Sequence, residues 1–298
     1  MDYHQLGKTA LQISRIGFGC MSLKAGQSTA ASLIDAAIDG GINYFDTADL
    51  YEQGANEAMI GTLLAARRTK IILATKVGNQ WRQDGSGWDW NPRKAYILKT
   101  AEQSLKRLKT DYIDLYQLHG GTIEDPIEET IEAFELLLTA GKIRSYGISS
   151  IRPNVIRAYV EKSRISSVMQ QYSLADRRPE ETCFSLLEKN SISVLARGTL
   201  AGGLLINKAA TAYLSLAPEA IQQMQEQIKK IALQYEVAPA TVALNFALQP
   251  AAVSAAVIGI RTMEQLDEAL RALKQTVPRE ALQALADTSP VNFYTDHR

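Results

Sequence analysis

The chain has 298 residues, 46% of them hydrophobic, a length and apolar content sufficient for one large α/β barrel of about 250 residues. Its 32 Lys and Arg balance 32 Asp and Glu, so no net charge draws it to nucleic acid or to an anionic membrane. Two distant cysteines, Cys20 and Cys183, argue against a disulfide framework or a zinc site, and the polar start MDYHQLGKT and the lack of an 18-residue apolar run argue against secretion and membrane insertion.

In chain order, Tyr3–Ile13 reads as a β-hairpin turning at Gly7-Lys8-Thr9. Short apolar runs then alternate with amphipathic stretches. The strands expected are Arg15–Gly19, Ile42–Asp46, Ile71–Lys76, Tyr112–His119, Ser145–Ser149, Val168–Tyr172, Ile192–Ala196 and Ala255–Ile258. Helices are expected at Thr29–Gly40, Ala55–Ala66, Pro92–Leu108, Ile127–Ala140, Pro218–Tyr235 and Thr262–Leu273. Pro239–Leu248 and Pro278–Ala286 read as additional helices near the C-terminus. Eight strands separated by helices fit an α/β class, a (β/α)8 TIM barrel with the hairpin across its bottom, as a single domain over 1–298. A doubly wound dinucleotide fold fits less well, because Gly17-Phe18-Gly19-Cys20-Met21-Ser22 lacks the third glycine of its fingerprint. No Pro/Gly/Ser-rich linker divides the chain.

Barrel chemistry gathers where strands end. The second strand ends in Asp46, with Tyr51 in the loop that follows; the third ends in Lys76 and the fourth in His119. Taken alone, each has an ordinary structural role. Together, on adjacent strand ends, they suit carbonyl reduction. A phenol with a pKa of about 10 is a poor acid at neutral pH, and a nearby ammonium stabilises its phenolate. A carboxylate can hold that ammonium, and an imidazole can hydrogen-bond and polarise a carbonyl oxygen. No side chain supplies a hydride, so a cofactor is required.

Four motifs carry a family resemblance. Phe45-Asp46-Thr47-Ala48-Asp49-Leu50-Tyr51, Ala74-Thr75-Lys76-Val77-Gly78, Asp111–His119 and Gly141–Ser149 occur in the order found in the aldo-keto reductase superfamily. The chain resembles its bacterial branch, related to general stress reductases and potassium-channel β subunits. The resemblance implies reduction of aldehydes and ketones with NADPH/NADP+. It makes Tyr51 the general acid, Lys76 and Asp46 its tuning pair, and His119 the residue that orients the substrate.

By the same resemblance the cofactor lies across the barrel mouth without a Rossmann domain. Gly19, Cys20, Met21 and Asp46 would line the nicotinamide side, and Ser149 and Ser150 would meet the carboxamide, the second standing where the family has Asn. Strict alignment places Met169 where the family has its carboxamide-binding Gln; Gln171 is preferred here. Arg197 stands where many members place a stacking aromatic, and its guanidinium plane can stack as well. The run Gly198, Thr199, Leu200, Gly202 offers backbone N–H groups to a pyrophosphate. Gly259, Arg261, Gln265 and Glu268 lie at a strand end opening into a helix, a phosphate-binding position that favours NADPH through Arg261. The adjoining family Asn is Ala269 here. Leu204–Pro218 reads as a mobile cover over the cofactor.

The loop after Lys76 carries all three tryptophans. Trp81 and Trp88, with Tyr51 and His119, are read as the substrate wall, suited to apolar or aromatic aldehydes. A small carbonyl compound is the expected partner, and a cytoplasmic monomer holding no metal is the expected state. Two other classes remain open: a redox-sensing module that binds NADPH and acts through a partner protein, and a barrel hydrolase using paired carboxylates, which leaves Tyr51 and Lys76 without a role.

Overall fold

The computed structural model describes residues 2–298. Eight parallel strands close into a barrel: β3 (Ile16–Gly19), β4 (Tyr44–Asp46), β5 (Ile72–Val77), β8 (Ile113–Leu118), β9 (Ile143–Ser149), β10 (Ser167–Gln171), β11 (Ser193–Arg197) and β12 (Val253–Gly259), the last pairing with the first. Two antiparallel hairpins flank it, β1 (Tyr3–Gln5) with β2 (Gln12–Ser14) and β6 (Asn79–Trp81) with β7 (Trp88–Trp90). The helices are α1 (Ala30–Asp39), α2 (Ala55–Leu64), α3 (Lys94–Leu108), α4 (Ile127–Thr139), α5 (Pro153–Lys162), α6 (Cys183–Lys189), α7 (Pro218–Gln234), α8 (Pro239–Leu248), α9 (Met263–Ala272) and α10 (Arg279–Asp287).

Strand alternation sorts the side chains into two cores. Outward residues such as Phe18, Phe45, Leu73, Tyr116 and Ile148 pack under the helices, Phe18 stacking on Phe45 at 5.7 Å. The narrower inner core holds Tyr44, Ile72, Ala74, Leu115, Met169, Leu195, Ala255 and Val257, with Leu6 and Ile13 of the first hairpin buried against them. Gly17 leaves the space that Tyr44 fills, since an added Cβ would stand 2.5 Å from its ring. The apolar filling gives out toward the C-terminal ends. There the inward positions become Asp46, Lys76, Gln117, Ser149, Gln171, Arg197, Gly19 and Gly259.

The segment after Lys76 is a hairpin, where sequence had suggested only a loop. Its two short strands carry little apolar periodicity, and their order comes from cross-strand and tertiary contacts. Arg82 pairs with Asp89 at 2.6 Å, and the Trp90 indole lies on the backbone of Gly78 and Gly120 while donating to Asp125 at 2.9 Å. Leu204–Pro218, read as a mobile cover, runs through turns, and Gln225 of α7 donates to the carbonyls of Leu204 and Lys208 at 2.5 and 2.8 Å.

Candidate active site

Lys76 is the centre of the arrangement. It projects inward from β5 and is 1% exposed. Its ammonium has three protons to donate and finds three acceptors: an Asp46 carboxylate oxygen, the Thr47 carbonyl at 2.8 Å and the Tyr51 hydroxyl at 3.4 Å. Burial works against the charge, but the Asp46 carboxylate and Tyr51 outweigh it, and Lys76 stands above its ordinary value. The other Asp46 oxygen accepts from Gln117 Nε2 at 3.3 Å and from the Tyr44 hydroxyl at 3.5 Å. Neither Gln117 nor Tyr44 was singled out from sequence, although both occupy inward positions of their strands.

His119 follows β8 and meets Tyr51 edge-on, with ring centroids 5.9 Å apart. Burial, with Lys76 and Arg197 adding repulsion, lowers its pKa to about 3, so the ring is neutral at physiological pH. Its Nδ1 is buried without a partner. The four residues Asp46, Tyr51, Lys76 and His119 therefore share one rim.

A second buried ionic group lies behind this rim, on the helix side of β5. Glu57 of α2 accepts from Thr75 at 2.5 Å and Ser104 at 3.3 Å, and pairs with Arg107 of α3 at 2.6 Å. Asp49, two residues before Tyr51, has one carboxyl oxygen buried without a partner. Burial, with the nearby Glu57 charge, pushes its pKa up to about 8. A charged loop residue gives no hint of such burial in sequence.

Around the remaining mouth, Arg197 donates to Gln171 Oε1 at 2.9 Å, and Gln171 Nε2 donates to the Tyr213 hydroxyl at 3.1 Å. Met169, by contrast, is sealed in the inner core, and Gln170 points among the outer helices with its amide unpartnered. Ser149 is half-buried, while Ser150 is buried and its hydroxyl accepts from the Arg152 amide at 3.2 Å. Gly198, Leu200 and Gly202 lie on the β11 loop, and the Thr199 hydroxyl there is buried without a partner. Gly19 and Gly259 face each other in register. Met21 is exposed, and the Cys20 thiol is buried among outer-core residues and donates back to the Phe18 carbonyl. Arg261 and Gln265 are exposed and Glu268 is half-buried, on the approach to α9 and its first turns. The Gln265 amide oxygen accepts from the Arg261 N–H at 2.8 Å and Thr262 caps the helix.

Of the tryptophans, Trp81 is half-buried and donates to the Leu50 carbonyl at 3.1 Å, beside Tyr51. Trp88 is 47% exposed at the far strand of the hairpin. Trp90 is a wedge beneath the hairpin. Among the described residues, no single helix is long and apolar enough to cross a membrane.

A closed eight-stranded parallel barrel with a buried lysine and a half-buried tyrosine and histidine at one rim defines a class, and comparison assigns it. The profile of the Aldo/keto reductase family matches residues 15–289, and the chain belongs to that family, oxidoreductases that act on carbonyl compounds with a nicotinamide cofactor. It is similar to the uncharacterized oxidoreductase YqkF of Bacillus subtilis, 47% identical over the whole of both chains. The aldo-keto reductase AKR11C1 from Bacillus halodurans, in its holo form, superimposes with a TM-score of 0.94 at 44% identity, covering 100% of this chain and 99% of that one. The aldo-keto reductase yakc [NADP(+)] of Schizosaccharomyces pombe is 35% identical over 65% of this chain and 60% of its own.

Proposed function

We propose that this chain reduces aldehydes and ketones to alcohols with NADPH as one barrel domain over 1–298, and that it does so as a cytoplasmic monomer. Tyr51 is the general acid, assisted by Lys76, Asp46 and His119. The observation that carries this reading is the direction of one hydrogen bond: Lys76 donates to the Tyr51 oxygen. The phenol's own proton is thereby free to be donated elsewhere, and the charge left behind forms 3.4 Å from an ammonium. Such a positioned donor contributes about 10²–10⁴-fold. Asp46 keeps the ammonium in place, and neutral His119 can donate a hydrogen bond to the substrate oxygen without competing as an acid.

The residues of the mouth fit a nicotinamide dinucleotide. A bound reduced nicotinamide supplies the hydride that the side chains lack. Gln171, Ser149 and Ser150 carry groups that can hold a carboxamide, Arg197 offers a planar face, and the glycine-rich β11 loop leaves room for backbone N–H groups against a pyrophosphate. Gly19, Met21 and the Cys20 backbone border the nicotinamide side. Arg261, exposed before α9, suits a 2′-phosphate, with Gln265 and Glu268 nearer the adenine. The printed name of the Schizosaccharomyces pombe relative, with NADP(+), supports the same preference. Trp81 and Trp88, with Tyr51 and His119, form the substrate wall.

The test is to follow cofactor absorbance with NADPH and 4-nitrobenzaldehyde, methylglyoxal or phenanthrenequinone. Wild-type protein should consume NADPH, and Tyr51→Phe should lose about 10²–10⁴-fold in turnover while binding NADPH as before. Undiminished turnover in Tyr51→Phe would remove Tyr51 from the acid role. Absence of NADPH binding by the wild type would refute the reading as a whole.

A further inference from the structure

The three residues after Tyr51 all take left-handed backbone: Glu52 (φ 49°, ψ 39°), Gln53 (φ 55°, ψ 37°) and Gly54 (φ 88°). Glycine reaches this region freely, whereas Glu and Gln do so against their own Cβ atoms. Two such residues in succession persist only where the surroundings impose them, and they sit directly beside the proton donor proposed above.

Three ties hold the turn. At its start the Leu50 carbonyl accepts from the Gln53 N–H at 3.3 Å and from Trp81 Nε1 at 3.1 Å. At its end Gly54 is pressed onto Arg107, where an added Cβ would stand 2.8 Å from the side chain. The third tie is Glu52 itself. One carboxylate oxygen accepts the Ala25 N–H at 3.0 Å, and the other lies 3.7 Å from the Lys24 ammonium. The strand-to-helix loop that presents Ala25 is anchored at other points as well, one on α2 just beyond the turn and one on the last barrel strand's loop. Asn56 Nδ2 donates to the Cys20 and Leu23 carbonyls at 3.0 and 2.9 Å, and the Ser22 hydroxyl donates to the Ile260 carbonyl at 2.9 Å. Glu52 therefore grips a braced amide. Both contacts lie at the surface; the Lys24 pair at 3.7 Å contributes little, and the 3.0 Å bond to the Ala25 amide is the one with hydrogen-bond geometry.

We propose that Glu52 is a positioning residue for the Tyr51 phenol: by holding the Ala25 amide it pins the left-handed turn that sets where the hydroxyl points. The inference rests on Tyr51 as proton donor. It predicts a particular pattern of tolerance, because a Gln side chain can accept the same N–H while Ala and Gly cannot.

The experiment compares Glu52→Gln, Glu52→Ala and Glu52→Gly. Glu52→Ala is expected to lower kcat about tenfold or more, with the KM for NADPH changed less than about twofold. Glu52→Gln should stay within about threefold of wild type. Glu52→Gly relieves the backbone strain, so its melting temperature should hold or rise while kcat falls as in the alanine variant. Hydrogen exchange of a peptide spanning 46–57, measured without cofactor, should quicken in the Ala and Gly variants and not in Gln. Wild-type kcat in the Ala and Gly variants, or a Gln variant as impaired as Ala, would overturn the proposal, as would a loss of kcat with unchanged exchange. If the wild-type protein reduced no carbonyl, the reading of Tyr51 would have failed instead; the exchange measurement needs no turnover and still decides whether Glu52 holds the turn.

Discussion

The Tyr51 hydroxyl and the Lys76 ammonium lie 3.4 Å apart, with the lysine as donor. The other two protons of that ammonium are taken by Asp46 and by the Thr47 carbonyl. Lys76 cannot turn away to find other partners, so the phenol faces a cation fixed on three sides.

That fixation has a stability consequence. In Lys76→Met, Asp46 becomes a buried carboxylate without its counter-charge. The single variant is expected to lose about 3–5 kcal/mol in urea unfolding. Adding Asp46→Asn should restore much of the stability and none of the turnover. A single variant as stable as wild type would show that Asp46 carries no charge in the folded protein.

His119 should not titrate in the physiological range. Its folded-state pKa, about 3, lies below that of an unfolded histidine. The unfolded chain therefore takes up a proton there first, and this contribution to stability is present above about pH 6.5 and is lost as pH falls toward 3. In a proton NMR titration, the ring signals that disappear in His119→Gln should stay constant from pH 8 to 5. A midpoint near 6.5 for those signals would contradict the buried, neutral ring.

Asp49 carries the opposite sign. Its pKa near 8 means that the folded protein keeps a proton that the unfolded chain has already lost above about pH 4. Stability from this group falls as pH rises between those values and levels off above 8. Calorimetry of Asp49→Asn should show a gain in melting temperature over wild type at pH 8 that shrinks toward pH 5. A gain independent of pH would mean that burial leaves the Asp49 carboxyl unperturbed.

The proposed preference for NADPH rests on Arg261, whose side chain is exposed at the approach to α9. Arg261→Ala is expected to weaken NADPH binding about 10–100-fold, the size of a charge-assisted hydrogen bond, and NADH binding much less. Fluorescence titration with both nucleotides measures this. Equal losses would refute recognition of a 2′-phosphate.

What could be read from the chain followed strand periodicity. Apolar runs alternating with amphipathic stretches announced the barrel, and the strand ends at Asp46, Lys76 and His119 became a site on the strength of the family motifs that contain them. Side-chain alternation along the strand separates Gln171 from its neighbours: once Met169 lies in the inner core, Gln171 is the next residue facing inward, and Gln170 faces the helices. The hairpin that carries Trp81 and Trp88 was illegible, since it rests on the Arg82–Asp89 pair and on the fit of Trp90 over two glycines instead of on pattern. The Glu57–Arg107 pair joins positions 50 residues apart, and the burial of Asp49 depends on how α2 and α3 pack behind β5. Nothing local signals either. The burial of the Cys20 thiol likewise depends on the packing of the layer around it and has no local signal.

The hairpin of β1 and β2 seats Leu6 and Ile13, both fully buried, against the inner core at the floor of the barrel. With the interior filled by side chains down to that floor, the rim is open on the C-terminal face alone. A carbonyl compound and its alcohol must pass through the same opening, beside the mouth residues proposed to hold the dinucleotide.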